Sequence, residues 1–138
     1  MGYINRSVKL LEIATLADAQ TVVGDEVLLP NRVRAIGLQA NFVRAGGGTT
    51  CKVYLQTSLD GGTTWFDIAC FAFATTSLRK LSSIKHDIAT TPNSTASDAA
   101  LTDNTVLDGI IGDRIRIKAA VVGTYTGASS LSVSACIN

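Results

Sequence analysis

The stretch Ser58-Leu59-Asp60-Gly61-Gly62-Thr63-Thr64-Trp65 constrains this chain more than any other. It stands between two β-rich runs, Lys52-Val53-Tyr54-Leu55-Gln56-Thr57 and Phe66-Asp67-Ile68-Ala69-Cys70-Phe71-Ala72-Phe73. An Asp-Gly-Gly turn in that setting signals a hairpin, because glycine reaches the backbone angles that close it. The gap exceeds two residues, so a loop of roughly four to six residues is expected. On the incoming strand Cys51, Val53, Leu55 and Thr57 alternate with Lys52, Tyr54, Gln56 and Ser58. The returning strand is apolar on both faces: Phe66, Ile68, Cys70, Ala72 and Ala74 on one, Trp65, Ala69, Phe71 and Phe73 on the other. If Ser58 pairs with Trp65, Val53 faces Cys70 and the first set is core; a slip of one residue reverses this. In the first register Phe71 and Phe73 point outward. That apolar face then needs a cover, either a loop of the same chain or another subunit.

The rest of the chain reads as strands and turns. Ser7 to Thr15 is expected as a strand, although Leu10, Leu11 and Ala14 also fit a helical period. Short β runs follow at Gln20–Val23 and Glu26–Leu29, the latter stopped by Pro30-Asn31. From Arg32 to Ala45, Arg34, Ile36, Leu38, Ala40 and Phe42 share one face, as in a half-buried strand. Gly46-Gly47-Gly48 ends it. Thr75 to Ile84 is a short strand or a turn of helix. Residues 85–104 are a long polar loop, and Thr105–Asp108 is a short strand candidate. Arg114–Val122 and Ser129–Ile137 alternate cleanly around the loop Gly123–Gly127 and form a second hairpin.

About eight strands, with turn signals roughly every 8–12 residues, describe an all-β, single-domain antiparallel β-sandwich of jelly-roll or immunoglobulin-like type. The 138 residues fit one domain. Thr, Ser, Ala, Val, Ile and Gly dominate, which favours strands over helices. No period of roughly 20–50 residues repeats, so a propeller or solenoid is excluded. The formal net charge of +1 gives no general argument for nucleic acid or an anionic membrane. No apolar run approaches the roughly 18 residues of a membrane span. Met1 to Arg6 carries no signal-peptide core, and Gly2 with Ser7 misses the myristoylation spacing.

Few residues invite chemistry. Cys51, Cys70 and Cys136 lack metal-ligand spacing and read as small buried residues, with a Cys51–Cys70 bridge open if the register makes them neighbours. His86-Asp87 has no matching nucleophile motif and reads as a surface pair. Asp98, Asp103, Asp108 and Asp113 lack the calcium-loop pattern and read as turn residues. Arg114, Arg116 and Lys118 form a basic stripe on one strand face. It is either solvated charge that blocks edge aggregation or a contact to an acidic neighbouring subunit. No enzymatic activity, cofactor or metal is expected.

Ser58, Asp60, Gly62, Thr64 and Trp65 fit the pattern Ser-x-Asp-x-Gly-x-Thr-Trp. This resembles the Asp-box, a hairpin motif that recurs in sialidases and other β-propellers. The resemblance implies a turn-stabilising role away from any catalytic centre. With the strand Gly112-Asp113-Arg114-Ile115-Arg116-Ile117-Lys118 and the small-residue strands, the chain from Arg32 to Asn138 also resembles small β-rich virion proteins of tailed bacteriophages and prophages. That resemblance implies a homo-oligomeric, non-enzymatic protein, assembled in the bacterial cytoplasm and bound in many copies to other capsid or tail subunits. Head decoration comes first, a tail, neck or head-fibre part second. The interaction surface expected is Arg114, Arg116 and Lys118 with Phe71 and Phe73. The alternative is a carbohydrate-binding module stacking sugars on Trp65, Tyr54 or Tyr125.

Overall fold

The computed structural model describes residues 6–88 and 93–138. Met1 to Asn5 and Ala89 to Pro92, part of the polar stretch, lie outside the described residues. The strands in chain order are β1 (Arg6–Ile13), β2 (Gln20–Val23), β3 (Val27–Leu28), β4 (Ala35–Val43), β5 (Gly46–Gly47), β6 (Thr50–Ser58), β7 (Phe66–Phe73), β8 (Leu78–Lys85), β9 (Arg114–Val122), β10 (Tyr125–Thr126) and β11 (Ser130–Ile137). The strands expected before residue 85 and after residue 113 are present, and the 75–84 segment resolves as strand β8 rather than helix. Thr105–Asp108 is reduced to one bridge, Val106 to Ala69.

One sheet runs β1-β11-β4-β8, the other β2-β9-β6-β7 with β3 also on β9. Every pairing is antiparallel. Counting only the longer strands, first pairs with eighth, second with seventh, third with sixth and fourth with fifth. This is the strand order of a jelly roll, one long antiparallel ribbon rolled over itself. The Ser58–Trp65 loop is the tip of that ribbon, and β6–β7 is its innermost hairpin.

Alternation fills the space between the sheets. Ile36, Leu38, Ala40 and Phe42 meet Leu131, Val133, Ala135 and Ile137 in one sheet; Val53 and Leu55 meet Ile117, Ala119 and Val121 in the other, and all are buried. Phe42 of β4 stacks on Phe73 of β7 with centroids 5.0 Å apart, which locks sheet to sheet. Tyr125 meets Phe42 edge-on at 5.5 Å and donates its hydroxyl to Ala74 O at 2.7 Å, so its polar end is satisfied inside.

The hairpin register corrects the sequence reading. At the tip Thr57 pairs with Phe66 and Gln56 with Asp67, as a Ser58–Trp65 closure requires. Beyond this, Leu55 pairs with Ala69 and Val53 with Phe71, so Ile68 is an extra residue in a β-bulge. One inserted residue exchanges the two faces of the strand from Ala69 onward. Phe71 and Phe73, expected outside, lie in the core at 5% and 2% exposure. Cys70 instead sits opposite Tyr54 and Cys51 opposite Phe73, so Cys51 and Cys70 are not neighbours and all three thiols are free.

Candidate functional site

The Ser58–Trp65 loop is held by its own side chains. Ser58 Oγ donates to Asp60 Oδ1 at 2.9 Å and accepts the Gly62 N–H at 2.8 Å. Asp60 accepts the Thr64 N–H at 2.8 Å and the Thr64 hydroxyl at 2.6 Å. These bonds, the Thr64 hydroxyl first, then the Thr64 amide and Ser58, hold the Asp60 carboxyl down at about 2. Trp65 Nε1 donates to Gly62 O at 3.1 Å. Gly61 and Gly62 take φ of 73° and 94°, which only glycine adopts without strain. The side-chain donors and acceptors of Ser58, Asp60, Thr64 and Trp65 thus serve the turn.

The stripe on β9 is not a row of solvated cations. Arg114 pairs with Glu26 at 2.8 Å and with Asp113 at 3.2 Å. Arg116 lies over the Trp65 ring, 4.2 Å from its centroid, and donates Nε to Gln56 Oε1 at 3.0 Å. Lys118 pairs with Asp98 at 2.8 Å. All three cations thus have acids or acceptors of the same chain as partners.

One of these partners, Asp98, belongs to the polar stretch expected as a loop. The segment 97–106 lies as a strap over the outer side of β6 and β7. Asp67, only 1% exposed, receives the Ser97 hydroxyl and the amides of Ala99, Ala100 and Leu101, at 2.9–3.2 Å. Gln56 bridges Asp67 and Asp98 through Nε2, at 2.9 and 2.8 Å. Asp103 pairs with Lys52 at 2.9 Å, and Asn104 Oδ1 accepts from the Ala72 amide and Lys80. Thr105 O and the Leu107 amide bond β7 at Cys70 and Ile68. The cover demanded by the doubly apolar strand is therefore this strap, and it encloses Tyr54 to 3% exposure. Asp67 and Gln56 were not singled out in the sequence, and Asp98 was read there only as a turn residue. The available signal was Asp67 itself, a charge inside an otherwise apolar β run.

Among the described residues the opposite face has no such cover. Across β1-β11-β4-β8 the outward residues form rows: Ser7–Cys136–Gly37–Ser83, Lys9–Ser134–Gln39–Leu81 and Glu12–Ser132–Asn41–Arg79. None of these twelve residues is buried, and Leu81 is 70% exposed. The middle of the face is uncharged, with the charges on the two margin strands.

His86 and Asp87 are both exposed, and Asp113 is tied to Arg114. Among the described residues no three His, Cys, Asp or Glu side chains are grouped to hold a metal ion. No protein-family model, curated protein or solved structure matches this chain.

Proposed function

We propose that this protein is a non-enzymatic structural subunit of a multi-copy assembly, a bacteriophage head-decoration protein in the first instance. The observation that supports it is the exposed outer face of β1-β11-β4-β8: four strands wide, uncharged in the middle and flanked by the exposed Leu81. An uncharged, pleated surface is suited to seating against another subunit, because little must be desolvated. The jelly-roll order agrees by analogy, since viral capsid and lectin domains share that architecture. The basic stripe drops out as the contact, because its cations are engaged within the chain.

The carbohydrate-binding reading has less support. Tyr54 and Tyr125 are enclosed, and one face of Trp65 is taken by Arg116.

The experiment is the solution mass of the purified protein, followed by rebinding to particles stripped of it. Oligomers or particle binding that Leu81→Glu abolishes, with the melting temperature kept, are expected. A wild-type monomer that leaves stripped particles undecorated would overturn the reading.

A further inference from the structure

A cleft of about 460 Å³ opens at one end of the sandwich, where the β3–β4 turn, the end of β8 and the segment before β9 meet. Its size falls within the roughly 300–1,000 Å³ of small-molecule sites. Leu29, Val33 and Ile111 give it an apolar wall, and Arg32, Arg34 and His86 also line it.

The frame is fixed by main-chain bonds. The Arg34 amide donates to Asn138 O at 2.7 Å, and the His86 amide donates to Arg34 O at 2.8 Å, which sets Arg34 beside His86 at the end of the β4–β8 ladder. The Leu29 amide donates to Asp113 O at 2.8 Å and ties the third segment in.

Three observations point to an anionic ligand. First, the side chains of Arg32, Arg34 and His86 have no ion pair or hydrogen-bond partner among the described residues, whereas Arg114, Lys118, Lys52 and Lys9 are all paired. Second, of the two carboxylates lining the cleft, Asp113 is already taken by Arg114. Among the described residues, two guanidiniums therefore share the cleft with one acid that has no ion-pair partner, Asp87. Third, Arg32 holds φ of 62°, a left-handed conformation that costs an arginine about 1 kcal/mol or more and that Gly or Asn would adopt more easily. The turn keeps a strained arginine where an unstrained residue would close it better.

We infer that this cleft binds a small oxyanion, a carboxylate or a phosphate, carried on an apolar body. The guanidiniums of Arg32 and Arg34 grip the oxyanion by charge-assisted hydrogen bonds, with the His86 imidazole as a further donor. The body lies against Leu29, Val33 and Ile111. This does not depend on the assembly reading, because the cleft lies at the sandwich end and not on the bare sheet face.

The test is a titration of the ¹⁵N-labelled protein with benzoate and with phenyl phosphate, followed by amide shifts, with inorganic phosphate as the control lacking a body. Saturable shifts confined to residues 29–34, 86–87 and 111–113, with low-millimolar dissociation constants, are expected for at least one of the two ligands. The tighter ligand shows which oxyanion is preferred, and inorganic phosphate should bind more weakly. Arg34→Gln should weaken binding about tenfold. Arg32→Gly should weaken it similarly while raising the melting temperature, because glycine relieves the strain. No saturable shift with either ligand, or wild-type affinity in Arg32→Gly, would overturn the assignment.

Discussion

Gln56 and Asp67, paired across the innermost hairpin, are both enclosed and joined by a 2.9 Å hydrogen bond from Nε2 to Oδ1. Through Asp67 the hairpin is fastened to the strap. Its carboxylate also accepts the Ser97 hydroxyl and three strap amides. Asp67→Ala should cost about 3 kcal/mol or more, because it orphans several buried donors at once. Hydrogen exchange at Ala99, Ala100 and Leu101 should accelerate well beyond that of β4 and β11. Uniform acceleration across the chain would show instead that the strap does not open on its own.

Arg116 bridges the Trp65 ring and Gln56, and Asp98 lies close by. Arg116→Glu removes a stacking and a hydrogen-bond contact and sets two acids together. A loss of about 2 kcal/mol in chemical denaturation is expected. An unchanged midpoint would mean that the stripe is free after all.

The Asp60 carboxyl is held down at about 2 by Thr64 and Ser58, and Asp98 and Asp113 are lowered by Lys118 and Arg114. A carboxyl lowered on folding stabilises above its unfolded value, about 3.9, and loses that contribution as pH falls through its folded value. Asp60→Asn should therefore melt below the wild type at neutral pH and converge with it near pH 2. A gap that stays constant down to that pH would refute the assignment.

Burial raises the Cys51 thiol to about 12 and raises Cys70 as well, while Cys136 lies exposed on the bare sheet face. Only the thiolate is nucleophilic. A thiol reagent at mild alkaline pH should modify one thiol, Cys136, in the native protein and all three in denaturant. Rapid reaction of a second native thiol would contradict the packing.

Two glycines test backbone proximity against backbone angle. A Cβ on Gly112 would collide with the main-chain oxygen of Ser58, whereas at Gly61, with φ of 73°, nothing lies within 4 Å. Gly61→Ala should cost about 1 kcal/mol of conformational strain, and Gly112→Ala about 3 kcal/mol or more, because main chain must move. The reverse order in thermal denaturation would overturn this view of the turn.

Periodicity made part of this fold legible in the sequence. β4, β9 and β11 each carry one apolar face and one polar face, so their inward residues, Ile36 to Phe42, Ile115 to Val121 and Leu131 to Ile137, could be read directly. β7 could not be read this way, because with Ile68, Ala69, Cys70 and Phe71 all apolar neither face is marked and an inserted residue leaves no trace. The strap was hidden for another reason. Its hold on the body is by main-chain amides meeting Asp67 about thirty residues away, and no local pattern records that. The Arg114–Glu26 pair, 88 positions apart, is invisible for the same reason.

The bulge at Ile68 also determines where the chain tolerates a change in length. Deleting that one residue would restore continuous alternation through β7 and leave every other pairing as it stands, with Ala69, Phe71 and Phe73 still inward, at the loss of the buried Ile68 side chain. The Phe42–Phe73 stack between the sheets would be kept. Among homologues, a one-residue gap should therefore be tolerated at 68, whereas a gap elsewhere in β6 or β7 would either close the bulge or exchange the faces of part of the hairpin.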